Sequence, residues 1–129
     1  MKQITGYLVD VWNGTAGPVT IDKSLESYYK ILGCDCIDIV SRVIGRDRRE
    51  FDIICDDEAL CKEEVKISAI DCKGEAMLCS NLFVVKFDGV DDVTDLTEDD
   101  IKYIAKHIDR FATILYPEPY PMLTFVEYP

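Results

Sequence analysis

The chain has 129 residues, 48% of them apolar and 30% charged, which suits one domain with a single soluble core. Its formal charge of −11, from 25 Asp and Glu against 14 Lys and Arg, speaks against direct contact with nucleic acid or an anionic membrane and for a protein partner with a basic surface. No stretch approaches the ~20 apolar residues of a membrane span, and Met1–Gly6 lacks the apolar run and small-residue cleavage site of a secretion signal, so a cytoplasmic setting is expected.

In chain order, Ile4–Trp12 is rich in β-branched and aromatic residues and reads as a strand. Asn13-Gly14 then suits a tight hairpin turn into a second strand around Val19–Ile21, with Pro18 at its start. Asp22 or Ser24 caps a first helix whose Leu25, Tyr28, Tyr29 and Leu32 make one apolar stripe, and Gly33 ends it. Cys36–Ile44 and Phe51–Cys55 read as a second hairpin with an arginine-rich tip. Residues 56–64 hold at most one helical turn, Val65–Ile70 is a strand, and Lys73-Gly74 a turn. Met77–Phe87 is the most apolar run and reads as a central strand covered on both faces. Thr97-Glu-Asp-Asp100 resembles a capping box, opening a second helix with Ile101, Ile104, Ala105, Ile108 and Ala112 on one side. Residues 114–129 hold four of the five prolines and three of the seven tyrosines, so they run extended and pack back on the 1–113 domain or dock on a partner. Tail exchange between two copies would give a homodimer.

Six cysteines (Cys34, Cys36, Cys55, Cys61, Cys72 and Cys79) contain no C-x2-C knuckle and share the chain with one histidine, His107. They read as buried thiols rather than zinc ligands, with Cys34 and Cys36, beside Gly33, the most accessible pair. No cofactor or metal is expected. No phosphate-binding glycine loop or nucleophile–histidine arrangement stands out, so no catalytic residue is assigned and the protein reads as a non-enzyme.

Two charge clusters remain. Asp88, Asp91, Asp92, Asp95, Glu98, Asp99 and Asp100 carry −7 of the net charge with no Lys or Arg among them. An EF-hand is excluded, since Val93 or Leu96 stands where the calcium loop needs glycine. A loop and helix start explain the cluster structurally; the functional reading is a DNA-like face that attracts a basic surface. Asp88, Asp91, Asp92 and Asp95 would then bind a partner, with Tyr116, Tyr120, Phe125 and Tyr128 as apolar anchors. Arg42, Arg46, Arg48 and Arg49 form the second cluster, read either as a solvated hairpin tip or as a cradle for the phosphate of a signalling nucleotide, which the protein would sequester.

Tyr28-Tyr29-Lys30-Ile31-Leu32-Gly33-Cys34, running into Cys36-Ile37-Asp38-Ile39-Val40, is followed by Phe51-Asp52-Ile53-Ile54-Cys55-Asp56-Asp57-Glu58 and Ser68-Ala69-Ile70-Asp71. With Met77-Leu78, Asn81-Leu82-Phe83 and Leu96–Ile101, these segments resemble domain-of-unknown-function family 3846, small proteins of phages, plasmids and integrated elements of low-GC Gram-positive bacteria. The family tends to have Gly before the Asn-Leu pair, where this chain has Ser80. The resemblance implies a mobile-element accessory protein that occupies a host or defence component, and it supplies no catalytic residues. The expected architecture is α+β: a largely antiparallel sheet of about five to seven strands with two amphipathic helices on one face.

Overall fold

The computed structural model describes residues 2–87 and 92–129. The elements are β1 (Gln3–Asp10), β2 (Thr15–Asp22), α1 (Leu25–Leu32), β3 (Ile37–Ile44), β4 (Arg49–Asp56), a 3-10 turn at Ala59–Cys61, β5 (Ile67–Ile70), β6 (Ala76–Cys79), β7 (Leu82–Phe87), β8 (Val93–Thr94), α2 (Glu98–Ala105), β9 (Ile108–Phe111), β10 (Tyr120–Leu123) and β11 (Val126–Glu127). The main sheet has seven antiparallel strands in the order β11-β3-β4-β7-β1-β2, with β8 paired to the end of β7. A second sheet, β6-β5-β10-β9, has one parallel pairing, Leu123 beside Ala69. The fold is α+β and largely antiparallel, as expected, with a second sheet in addition.

Strand alternation divides the core in two. Phe51, Ile53, Leu82, Val84, Tyr7 and Val9 face the second sheet's Ala69, Met122 and Leu123 and the α2 residues Tyr103 and Ile104. Their neighbours Ile54, Phe83, Val85 and Ile4 face Tyr28 and Leu32 of α1. The helices therefore cover opposite faces of the main sheet instead of sharing one. The second sheet occupies the α2 face, leaving α1 to cover the other.

Local signals explain the helix ends. The Ser27 N–H donates to Ser24 Oγ at 3.2 Å, so Ser24 is the cap, and Gly33 closes α1 at φ 65°. Thr97 and Asp100 cap α2 reciprocally. That helix stops at Ala105 rather than running to Ala112, because Ile108–Phe111 pairs with β10. The Thr124 hydroxyl and N–H both donate to the His107 carbonyl at 2.8 Å, anchoring the new direction of the chain.

The apolar run 77–87 is two strands in two sheets, split at Ser80, which is buried and left-handed at φ 63°. Leu82–Val85, each 0% exposed, form the central strand that the composition predicts. A serine held at positive φ pays a steric penalty that glycine avoids, partly offset by the greater backbone freedom glycine loses on folding. Ser80→Gly is therefore expected to stabilise the domain by about 0.5–1 kcal/mol. Urea denaturation checks it; a lower midpoint would mean that the Ser80 side chain contributes more than its backbone costs.

Residues 114–129 enter both sheets. Tyr120, Met122, Leu123 and Val126 are buried, with β10 between β5 and β9 and β11 along the end of β3. Lys66 pins this segment: its Nζ donates to the Val11 carbonyl at 2.8 Å and lies 4.3 Å from the Tyr120 ring centre and 4.6 Å from that of Tyr116.

Candidate functional site

Asp88 and Asp91 lie outside the described residues. Asp92, Asp95, Asp99 and Asp100 are tied into the fold, while Glu98 is exposed, with no side-chain partner among the described residues. Asp92 is 2.6 Å from Lys23, whose hydrogen bond holds its carboxyl below the ordinary range. Asp95 accepts the Thr5 N–H at 2.8 Å, and Asp99 is 2.8 Å from Arg49. Asp100 is buried, accepts the Thr97 N–H at 3.0 Å and is 3.0 Å from Lys86. Lys23 and Arg49, distant in sequence, and Lys86, just before the stretch, thus offset what reads as uninterrupted negative charge.

The four arginines do not converge. Arg42 lies 4.3 Å above the Tyr128 ring and donates to the Ser41 carbonyl, and Arg49 turns to Asp99 and sits 4.4 Å over Tyr103. Arg48 pairs with Glu127 at 3.0 Å, and Arg46 and Arg48 border one cavity together. The tail aromatics also part company. Phe125 and Tyr128 are exposed, while Tyr116 is half-buried and edge-on to Trp12, with ring centres 6.0 Å apart.

Tyr120, at 2% exposure, belongs to the core and cannot be a surface anchor in the folded chain. Its hydroxyl has no partner among the described residues, and burial pushes its pKa up to about 12. Removing a buried, unsatisfied hydroxyl relieves a desolvation penalty, so Tyr120→Phe is expected to raise stability by about 1 kcal/mol. A fall in the thermal midpoint would contradict this.

All six cysteines are free thiols; Cys34 and Cys55 are buried and Cys36 is exposed. Burial pushes the Cys34 thiol up and that of Cys55 up to about 12, so neither is a ready nucleophile.

A larger feature emerges on the α1 face. α1 has only eight residues and leaves the β3 side of the sheet uncovered. A cavity of about 700 Å3 lies there, walled by Leu25 and Tyr28 of α1, by Ile37, Ile39 and Ser41 of β3, and by Phe87, over a floor that includes Ile54. Leu25 is 56% exposed, Ile39 49% and Phe87 50%, so three large apolar side chains ring one opening. The polar groups are few: Asp52, buried and accepting the Ser41 hydroxyl at 2.7 Å, and the Lys23–Asp92 pair. Glu50, exposed and two residues before Asp52 on the same face, adds negative charge nearby. Beyond Val43, β3 has no neighbour on its outer side among the described residues, since β11 pairs only with Val43 and Ile44. Sequence alone places Ile37 and Ile39 in a strand, but which face stays uncovered depends on how short α1 is and on where the second sheet packs.

A family model described as "Domain of unknown function (DUF3846)" matches residues 4–109, ending before β10 and β11. No curated protein and no solved structure matches the chain. Because the match takes in well over half of the sequence, the chain belongs to the DUF3846 family.

Proposed function

We propose that this protein is a non-catalytic binding protein that occupies a partner through the apolar cavity between α1 and β3. The observation that carries the reading is the ring of Leu25, Ile39 and Phe87 around that cavity, three exposed apolar side chains at one opening. Asp52 and Glu50 beside it, in a chain of net charge −11, favour an apolar anchor set in a basic surface. The family resemblance suggests the setting, a phage or other mobile element, where the partner would be a host protein that handles nucleic acid or serves defence. The acidic cluster contributes long-range attraction in this reading, and the cavity the contact energy.

Affinity capture from bacterial lysate with the wild-type chain and with Ile39→Asp tests the proposal. Charge placed on a contact anchor is expected to weaken capture of the specific partner by at least about 30-fold, while circular dichroism stays unchanged. Identical captured proteins with wild type and Ile39→Asp would remove the cavity from the binding surface.

A further inference from the structure

A second cavity, of about 730 Å3, lies at the tip of the β3–β4 hairpin, where Arg46, Arg48, Lys106, His107, Phe125 and Glu127 line it. We propose that it binds a nucleoside phosphate, with Arg46, Arg48 and Lys106 holding the phosphate and Phe125 stacking the base. Three independent features of the chain meet there.

The first is charge. Arg46, Arg48 and Lys106 bring three cations from two separate elements against Asp47 and Glu127, in a molecule whose overall charge is −11. Arg46 and Lys106 form no ion pair among the described residues, and Arg48 is held only by its solvent-exposed pair with Glu127. An exposed pair of this kind exchanges readily for a phosphate, which guanidinium groups grip in a bidentate way.

The second is backbone conformation. Of the three non-glycine residues with positive φ among those described, two line this cavity: Arg48 at 53° and Phe125 at 59°. Gly45 adds a third positive φ, at 75°. Left-handed backbone at an aromatic residue is unfavourable and persists here because the Phe125 carbonyl accepts the Gly45 N–H at 3.1 Å. The bond ties the hairpin tip to the tail, and Phe125 is 51% exposed and lines the cavity.

The third is the histidine. His107 Nδ1 is 2.8 Å from the Tyr103 carbonyl, which can only accept, so Nδ1 carries the hydrogen and Nε2 is the free end. Its ring is 4.7 Å from that of Tyr103 and half-buried, which fixes its orientation against the turn. The cavity thus combines a rigid polar floor, an aromatic wall and a cationic rim, within the usual size of a small-ligand site.

Titration calorimetry of the full chain with ADP, GDP, UDP and inorganic pyrophosphate tests the inference. At least one nucleotide is expected to bind, and Arg46→Ala combined with Lys106→Ala to weaken it by about 10-fold or more. Phe125→Ala should weaken that nucleotide by about 10-fold while leaving pyrophosphate binding unchanged. Circular dichroism confirms that each variant is folded, and Ile39→Asp, in the other cavity, should bind the nucleotide like wild type. Absence of heat with all four probes at millimolar concentration overturns the proposal. So does nucleotide binding that survives the double substitution, or that is indifferent to Phe125.

Discussion

Asp100→Ala is expected to destabilise the domain by about 3 kcal/mol, combining a lost helix cap with a broken, largely buried ion pair. The residue is 2% exposed and does three things at once. Its Oδ2 accepts the Thr97 N–H at 3.0 Å, its own N–H donates to Thr97 Oγ1 at 3.1 Å, and its Oδ1 lies 3.0 Å from Lys86 and 3.7 Å from Arg49. Lys86 and Arg49 are themselves part-exposed and regain water when the carboxylate goes, which keeps the loss below that of a fully buried pair. Asp100→Asn keeps an oxygen for the cap and gives up the charge, so about half the loss is expected.

The same carboxylate makes stability depend on acid. Burial pushes its pKa up, but hydrogen bonds from Thr97 and Lys86 outweigh burial and hold it below the ordinary range. The unfolded chain therefore takes up this proton first, near pH ~4. Asp100 contributes its stability above that pH and loses it as the pH falls through the lower folded value. Urea melts from pH 7 to pH 3 should show wild type and Asp100→Asn converging in acid. A constant gap would mean that the charge on Asp100 contributes nothing.

Gly45→Ala is expected to cost about 3 kcal/mol or more, the sum of backbone strain and a steric clash. The residue sits at φ 75°, and a Cβ there would overlap His107 Nε2 and stand 2.5 Å from the Tyr103 hydroxyl. Neither neighbour is free to retreat. The Tyr103 hydroxyl donates to the Ile44 carbonyl, and the His107 ring is fastened through Nδ1. Accommodating the methyl group means moving the hairpin tip, together with the Gly45 N–H bond to Phe125. Thermal unfolding followed at 222 nm measures the loss; a midpoint within a degree of wild type would show that the tip yields without strain.

Local chemistry was legible in the sequence wherever it is local in space. Ser24 and Gly33 bound α1, the Thr97–Asp100 box opens α2, and the β3–β4 hairpin lies where its apolar strands and arginine tip put it. What sequence hid was set by distant partners. Ile108 continues the apolar spacing of α2, yet pairing with Leu123 draws it into β9. Ser80 carries no side-chain mark of a sheet change, because the requirement there is a backbone angle. Asp92, Asp99 and Asp100 look bare in sequence, since Lys23, Arg49 and Lys86 reach them from other strands and loops. The exposure of Ile39 is set by how far α1 reaches, which no local pattern states. Tyr120 misled for the opposite reason: tyrosine suits both interfaces and cores, and its place in β10 decides for the core.

The position of β10 bears on how the molecule comes into being. β10 sits between β5 and β9, and β11 pairs with the end of β3, so both sheets are completed only once residues 120–127 have been made. Ribosomal emergence of the first hundred or so residues would leave Ala69, Ile104 and Ile53 without the side chains that bury them. Assembly is then a long-range event, and proteolytic trimming near Thr113 is expected to unfold the domain rather than shorten it, because β10 pairs with both β5 and β9.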